Sequence, residues 1–131
     1  MISSYLLYMD ERQLKAQIAG KTVTAMEYTE PDSYGYSSDS VIFHLEGDEE
    51  LRVYISVNGN EPSLAVDAVR ASVPLLSVYP RLDRVEMDDV IEDLSLHYNA
   101  CGNVSSVTIS LSSGNMRLSV AEDDLYSIRI D

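Results

Sequence analysis

Several residue types are scarce in this chain, and each scarcity removes a class of protein. There is one cysteine, Cys101, so no internal disulfide can form. There is no tryptophan and a single phenylalanine, Phe43, which leaves only the tyrosines to line an aromatic sugar platform. No apolar run approaches the ~18 residues that a membrane-spanning helix needs. The amino terminus, Met1 to Asp10, has neither a basic segment nor a signal-length apolar one, which reads as a cytoplasmic protein of bacterial or viral type. Above all, positive charge is scarce. Lys and Arg number 9 against 22 Asp and Glu, a formal net charge of −13 over 131 residues. DNA, RNA and anionic lipid all demand clustered cations, so a nucleic acid and a membrane surface are excluded as partners. A basic protein partner fits the charge.

The acids are unevenly placed. Glu27 to Glu50 holds eight acids and no Lys or Arg. Asp83 to Asp93 holds six acids and one Arg, and Leu94 to Ala121 holds no acid. The simplest meaning of such a charge is solubility. Its uneven placement also suits electrostatic steering toward a cationic surface.

The apolar share of 45% is ordinary for a globular protein and is periodic, so the length fits one domain spanning 1–131. Residues 2–8 read as a short strand or extended entry. Asp10 reads as a helix N-cap with Gln13 at the capping-box position, Leu14 and Ile18 on one face, and Gly20 just past the end. Residues 22–28 read as a strand, 30–39 as a polar loop, and 40–45 with 51–57 as a hairpin. Ser63 and the spacing of Leu64, Ala65, Ala68 and Val69 predict a second helix over 64–72. Residues 75–82, between Pro74 and Pro80, read as an edge strand or ordered loop. Strands are expected at 90–98, 104–112, 115–121 and 125–130. The expected fold is α+β: antiparallel meanders with two short helices on one face.

An internal echo supports the meanders. Ser40-Val-Ile-Phe-His-Leu45 matches Ser106-Val-Thr-Ile-Ser-Leu111, and Leu51-Arg-Val-Tyr-Ile55 matches Met116-Arg-Leu-Ser-Val120. Met26-Glu-Tyr28 resembles Leu96-His-Tyr98. Two readings stay open, duplication of one three-strand unit or the ordinary similarity of alternating hairpins.

Catalytic motifs are absent. No Gly-x-Ser-x-Gly, Walker loop or Gly-x-Gly-x-x-Gly occurs, so no catalytic residue or cofactor is assigned and the chain is expected not to be an enzyme. His44, His97 and Cys101 are too few for a structural zinc site, and Asp88, Asp89, Glu92 and Asp93 lack the alternation and the glycine of a calcium loop, so no metal site is expected. The sharpest binding segment is the loop 30–39. Tyr34 and Tyr36 would supply rigid anchors, with Glu30, Asp32 and Asp39 around them, and Asp48, Glu49 and Glu50 would form a second acidic contact. The expected function is non-enzymatic: an inhibitor or immunity-type protein that masks a basic target, such as a nuclease toxin or a nucleic-acid-binding factor. The alternatives are an assembly protein pairing through its Ser-rich hairpin, or a small-ligand pocket between sheet and helix.

Overall fold

The computed structural model describes residues 10–28, 40–58, 61–72, 83–120 and 128–131. The segments 2–8, 30–39 and 75–82, and the first residues of 125–130, lie outside the described residues.

Helix α1 covers Glu11–Ile18. Its start follows from local chemistry: the Gln13 amide donates to Asp10 Oδ1 at 2.8 Å, and the Asp10 amide donates to Gln13 Oε1 at 3.1 Å. This reciprocal cap is worth about 1 kcal/mol. Gly20, at φ 85°, ends the helix in a conformation that a side chain would strain, and its amide donates to the Ile91 carbonyl at 2.8 Å.

Eight strands follow: β1 Thr22–Tyr28, β2 Ser40–Leu45, β3 Glu49–Asn58, β4 Glu61–Arg70, β5 Asp83–Tyr98, β6 Val104–Leu111, β7 Gly114–Val120 and β8 Ile128–Ile130. They form one antiparallel sheet in the order β4-β3-β2-β1-β5-β6-β7-β8. Two meanders therefore meet at the β1–β5 pair. The long β5 belongs to both halves: its first part pairs with β1 over Asp83–Val90, and its second with β6 from Ile91 onward. Bulges interrupt both ladders, at Val23/Ala25 and at Ile91/Asp93, and let the sheet bend. The bend brings β4 against β6 and β7, while α1 packs on β4 and β5.

The core lies between these surfaces. Row by row, Met26, Phe43, Leu51 and Ala68 are cross-strand neighbours on β1 to β4, and Leu96, Val107, Leu118 and Ile130 are neighbours on β5 to β8. Leu14 and Ile18 close the core from the helix.

The antiparallel meanders match the expectation, but the fold is mainly β, with one helix among the described residues. The helix expected at 64–72 is instead strand β4. Leu64, Val66 and Ala68 are buried, while Ala65, Asp67 and Val69 between them are only partly so, which is the period of a strand. Apolar residues on both faces let the same segment imitate a helical stripe, and pairing with β3 along its whole length decided the outcome. Pro62 is tolerated because β4 is a sheet edge. The strand expected at 90–98 begins seven residues earlier, at Asp83.

The internal echo falls on equivalent strands, β2 with β6 and β3 with β7. Ser40, Val41, Phe43 and Leu45 are buried, and so are Ser106, Val107, Ile109 and Leu111. Among the described residues the halves differ at their ends, where β4 has 10 residues and β8 has 3. The Ser-rich strands β6 and β7 are flanked on both sides, which explains why they can dispense with edge charges.

Candidate functional site

Of the eight residues singled out for partner binding, Glu30, Asp32, Tyr34, Tyr36 and Asp39 lie outside the described residues. Asp48, Glu49 and Glu50 sit at the β2–β3 turn, and the structure divides them. Asp48 is exposed and adopts φ 60°, next to Gly47 at φ 79°. Glu49 turns toward the end of α1, where Gln17 Nε2 donates to its Oε2 at 3.1 Å and Lys21, just past the helix, pairs with it. Glu50 is buried at 7% exposure and pairs with Arg52. Only Asp48 of the three is turned fully to solvent, so the contact read from sequence is here one exposed acid beside two inwardly bound ones.

Donation from Lys21, and then from Gln17, holds the Glu49 carboxyl below its ordinary value near 4.5. A lowered folded value means stability that is full above the unfolded value and is lost as pH falls through the folded one. Lys21→Met should therefore cost stability at neutral pH, and its gap from the native chain should shrink below about pH 4.5. Urea melts at neutral and acid pH check this; a gap that grows in acid contradicts it.

Glu50 belongs to a longer row on the outer face of the first meander. Arg84 Nη1 donates to Glu27 Oε1 at 2.8 Å, and Glu27 Oε1 lies 2.6 Å from His44 Nε2. His44 Nδ1 lies 3.4 Å from Glu50 Oε2, and Glu50 Oε1 accepts from Arg52 Nη2 at 2.8 Å. Arg52 stands across from Asp67 on β4, and Tyr54 Oη donates to Asp67 Oδ2 at 2.6 Å. Burial raises the Asp67 carboxyl above its ordinary value, with Tyr54 and Arg52 opposing. The strand period explains the alignment, since these side chains alternate with core-facing ones and register sets them side by side. Either neutral tautomer of His44 can donate to one carboxylate, and only the doubly protonated ring to both. The row offers little free charge; its carboxylates are held by cations or a hydroxyl, and it ties five strands together.

Free negative charge lies elsewhere, on β5. Glu86, Asp88, Glu92 and Asp93 are exposed. Glu86 pairs with Arg84 at 3.0 Å and Asp93 with Lys15 at 3.3 Å. Asp88 and Glu92 have no cation at ion-pair distance among the described residues. Val85 and Val90, 42% and 38% exposed, lie in the same strand. These acids are legible in the sequence; their placement on a strand is not, because the strand signal there begins only at residue 90, whereas β5 begins at Asp83.

The remaining candidates are weaker. His97 Nε2 meets Thr108 Oγ1 at 3.1 Å on the surface. Cys101 sits in the exposed β5–β6 turn. No three His, Cys, Asp or Glu side chains among the described residues are grouped so as to hold a metal ion. A cleft of about 220 Å³ opens between β4 and the β5–β6 hairpin, with Leu14, Leu64, Val66, Leu96 and Val104 as apolar walls and Ser63, Tyr98 and Asn103 as polar ones. That is smaller than the ~300 Å³ at which small-molecule pockets begin. No helix among the described residues is long and apolar enough to cross a membrane. No known family model, curated protein or solved structure matches this chain.

Proposed function

We propose that this protein binds a basic protein and masks it, in the manner of an inhibitor or immunity protein. One observation supports the reading above the others: most of the described cations are consumed within the fold. Lys15, Lys21, Arg52, Arg84 and Arg129 are all held in ion pairs, while Asp88, Glu92 and Asp48 stand exposed. In a chain of net charge −13, these described acids are therefore displayed without a cation at ion-pair distance among the described residues. A surface of this kind raises the encounter rate with a cationic target and repels nucleic acid. A nuclease toxin or a nucleic-acid-binding factor is the natural class, because such proteins carry the matching positive surface. Tyr34 and Tyr36 are the proposed anchors that slow dissociation.

Affinity capture with the native chain, followed by binding kinetics of the captured protein, tests the proposal. The captured protein should be basic, and its association rate should fall about tenfold or more between low and high salt. The double substitution Asp88→Lys and Glu92→Lys should slow association in low salt without changing the melting temperature. A rate indifferent to salt and to the double substitution would remove steering. Equal recovery by Tyr34→Ala plus Tyr36→Ala would remove the tyrosine anchors.

A further inference from the structure

The β5–β6 ladder stops early. Its last pair is Ile91 with Leu111, and Ser112 then closes it. The Ser112 amide donates to the Val90 carbonyl at 2.9 Å, the Val90 amide donates to Ser112 Oγ at 3.0 Å, and Ser112 Oγ donates to Asp89 Oδ1 at 3.1 Å. Beyond this point β5 continues from Asp89 back to Asp83. Over that length it pairs with β1 on one side, and on the other side it has no strand among the described residues. At ~3.3 Å per residue the open edge runs at most about 20 Å, interrupted by the bulge between Glu86 and Asp89, and starts where β6 ends.

An open edge inside a folded sheet is a template for another strand. Its side chains say which one. Val85 is the cross-strand neighbour of Met26 on the core side, yet it is 42% exposed; Met87 packs against the core. Glu86, opposite Ala25, points to the other side, and Asp88 is exposed. A second copy of this chain would bring Glu86, Asp88 and Asp89 to the edge again with a single cation, Arg84, that already pairs with Glu27 and Glu86, so the joined edge would carry an excess of like charge, which destabilises a strand pair. A strand alternating apolar and cationic residues meets no such cost. Its apolar residues would cover Val85, and its cations would stand beside Asp88 on the far side of the bulge, Glu86 being already paired with Arg84. The acids thus protect the edge from self-pairing while leaving it open to one kind of partner.

We infer that the Asp83–Asp89 edge of β5 receives an extended basic segment of a partner protein as an added antiparallel or parallel strand. This rests on the proposed basic partner and assigns that partner a docking mode.

The test uses a labelled peptide of about eight residues alternating Val and Arg, matched to the edge length. A second peptide carries N-methyl groups on alternate residues, which abolish ladder donation but keep the charge. A third alternates Val and Glu. Binding to the full chain is followed by fluorescence anisotropy, with amide hydrogen exchange resolved by residue. Alternate amides of Asp83–Asp89 should slow about tenfold or more with the Val-Arg peptide, and the N-methylated peptide should bind about tenfold more weakly. The Val-Glu peptide should not bind the native chain, and Asp88→Lys should narrow the preference for Val-Arg over Val-Glu. Equal binding by the plain and N-methylated Val-Arg peptides, without protection at Asp83–Asp89, overturns the edge and leaves the basic-partner reading intact. Absence of binding by either also overturns the edge, and the basic-partner reading then stands or falls on the salt dependence of the captured protein. Protection of the same amides on raising the concentration of the chain alone would overturn it in favour of self-pairing.

Discussion

Phe43→Ala should destabilise the protein by about 3–5 kcal/mol, a large part of the ~5–15 kcal/mol that holds a domain of this size folded. Phe43 is the only phenylalanine in the chain and is completely buried. It stands on β2, where its neighbours across the ladders are Met26 on β1 and Leu51 on β3. Removing the ring loses its transfer energy and leaves a cavity that strands held by ladders on both sides cannot collapse to fill. Ile109, at the echoed position on β6, is equally buried, but it is smaller, so Ile109→Val should cost only about 0.5–1.5 kcal/mol. Chemical denaturation of both variants checks the order. A Phe43→Ala cost below that of Ile109→Val would show that the core is not centred on the first meander.

Arg52→Met should be nearly as damaging, at about 3 kcal/mol or more, although it replaces a charge with an apolar chain of similar length. Arg52 is 5% exposed and Glu50 is 7% exposed. Two contacts of 2.8 Å, from Nε and Nη2, hold the Glu50 carboxylate. Without Arg52 the carboxylate keeps, among the described residues, the longer His44 contact, and Asp67 loses a charge that opposes the effect of its burial. A buried charge left without its cation costs far more than the intact pair contributes. Adding Glu50→Gln to Arg52→Met should therefore recover a large share of the loss, because the amide carries no charge to strand. Urea melts of the single and double variants measure the coupling. A double variant no more stable than the single one would mean that the loss does not come from a stranded Glu50 carboxylate.

The local elements were legible where local chemistry is decisive. Asp10, Gln13 and Gly20 marked both ends of α1 because caps and positive φ are short-range requirements. The hairpins of β2–β3 and β6–β7 were legible because one face of each is buried and the period of two survives in the residues. β4 was not, since an edge strand with apolar residues on both faces carries two periods at once. The row from Arg84 through Glu27, His44 and Glu50 to Arg52 was also hidden. Its members lie on four strands, and only register makes them neighbours.

The charge, its uneven placement and the absence of catalytic motifs were fixed by the residues themselves, since counting and local spacing need no fold. They carry the expectation of a cationic partner in preference to a polyanion. Which acids remain available is a different question, and only the tertiary structure decides it. Folding spends Glu27, Glu49 and Glu50 on internal cations, because burial in a sheet makes an unpaired charge costly. It leaves Asp88 and Glu92 exposed on β5, which runs on past the end of β6 with no second neighbour there among the described residues. Strand length is readable in a sequence; the mismatch between two strands that become neighbours is not, because it depends on which strands pair and in what register.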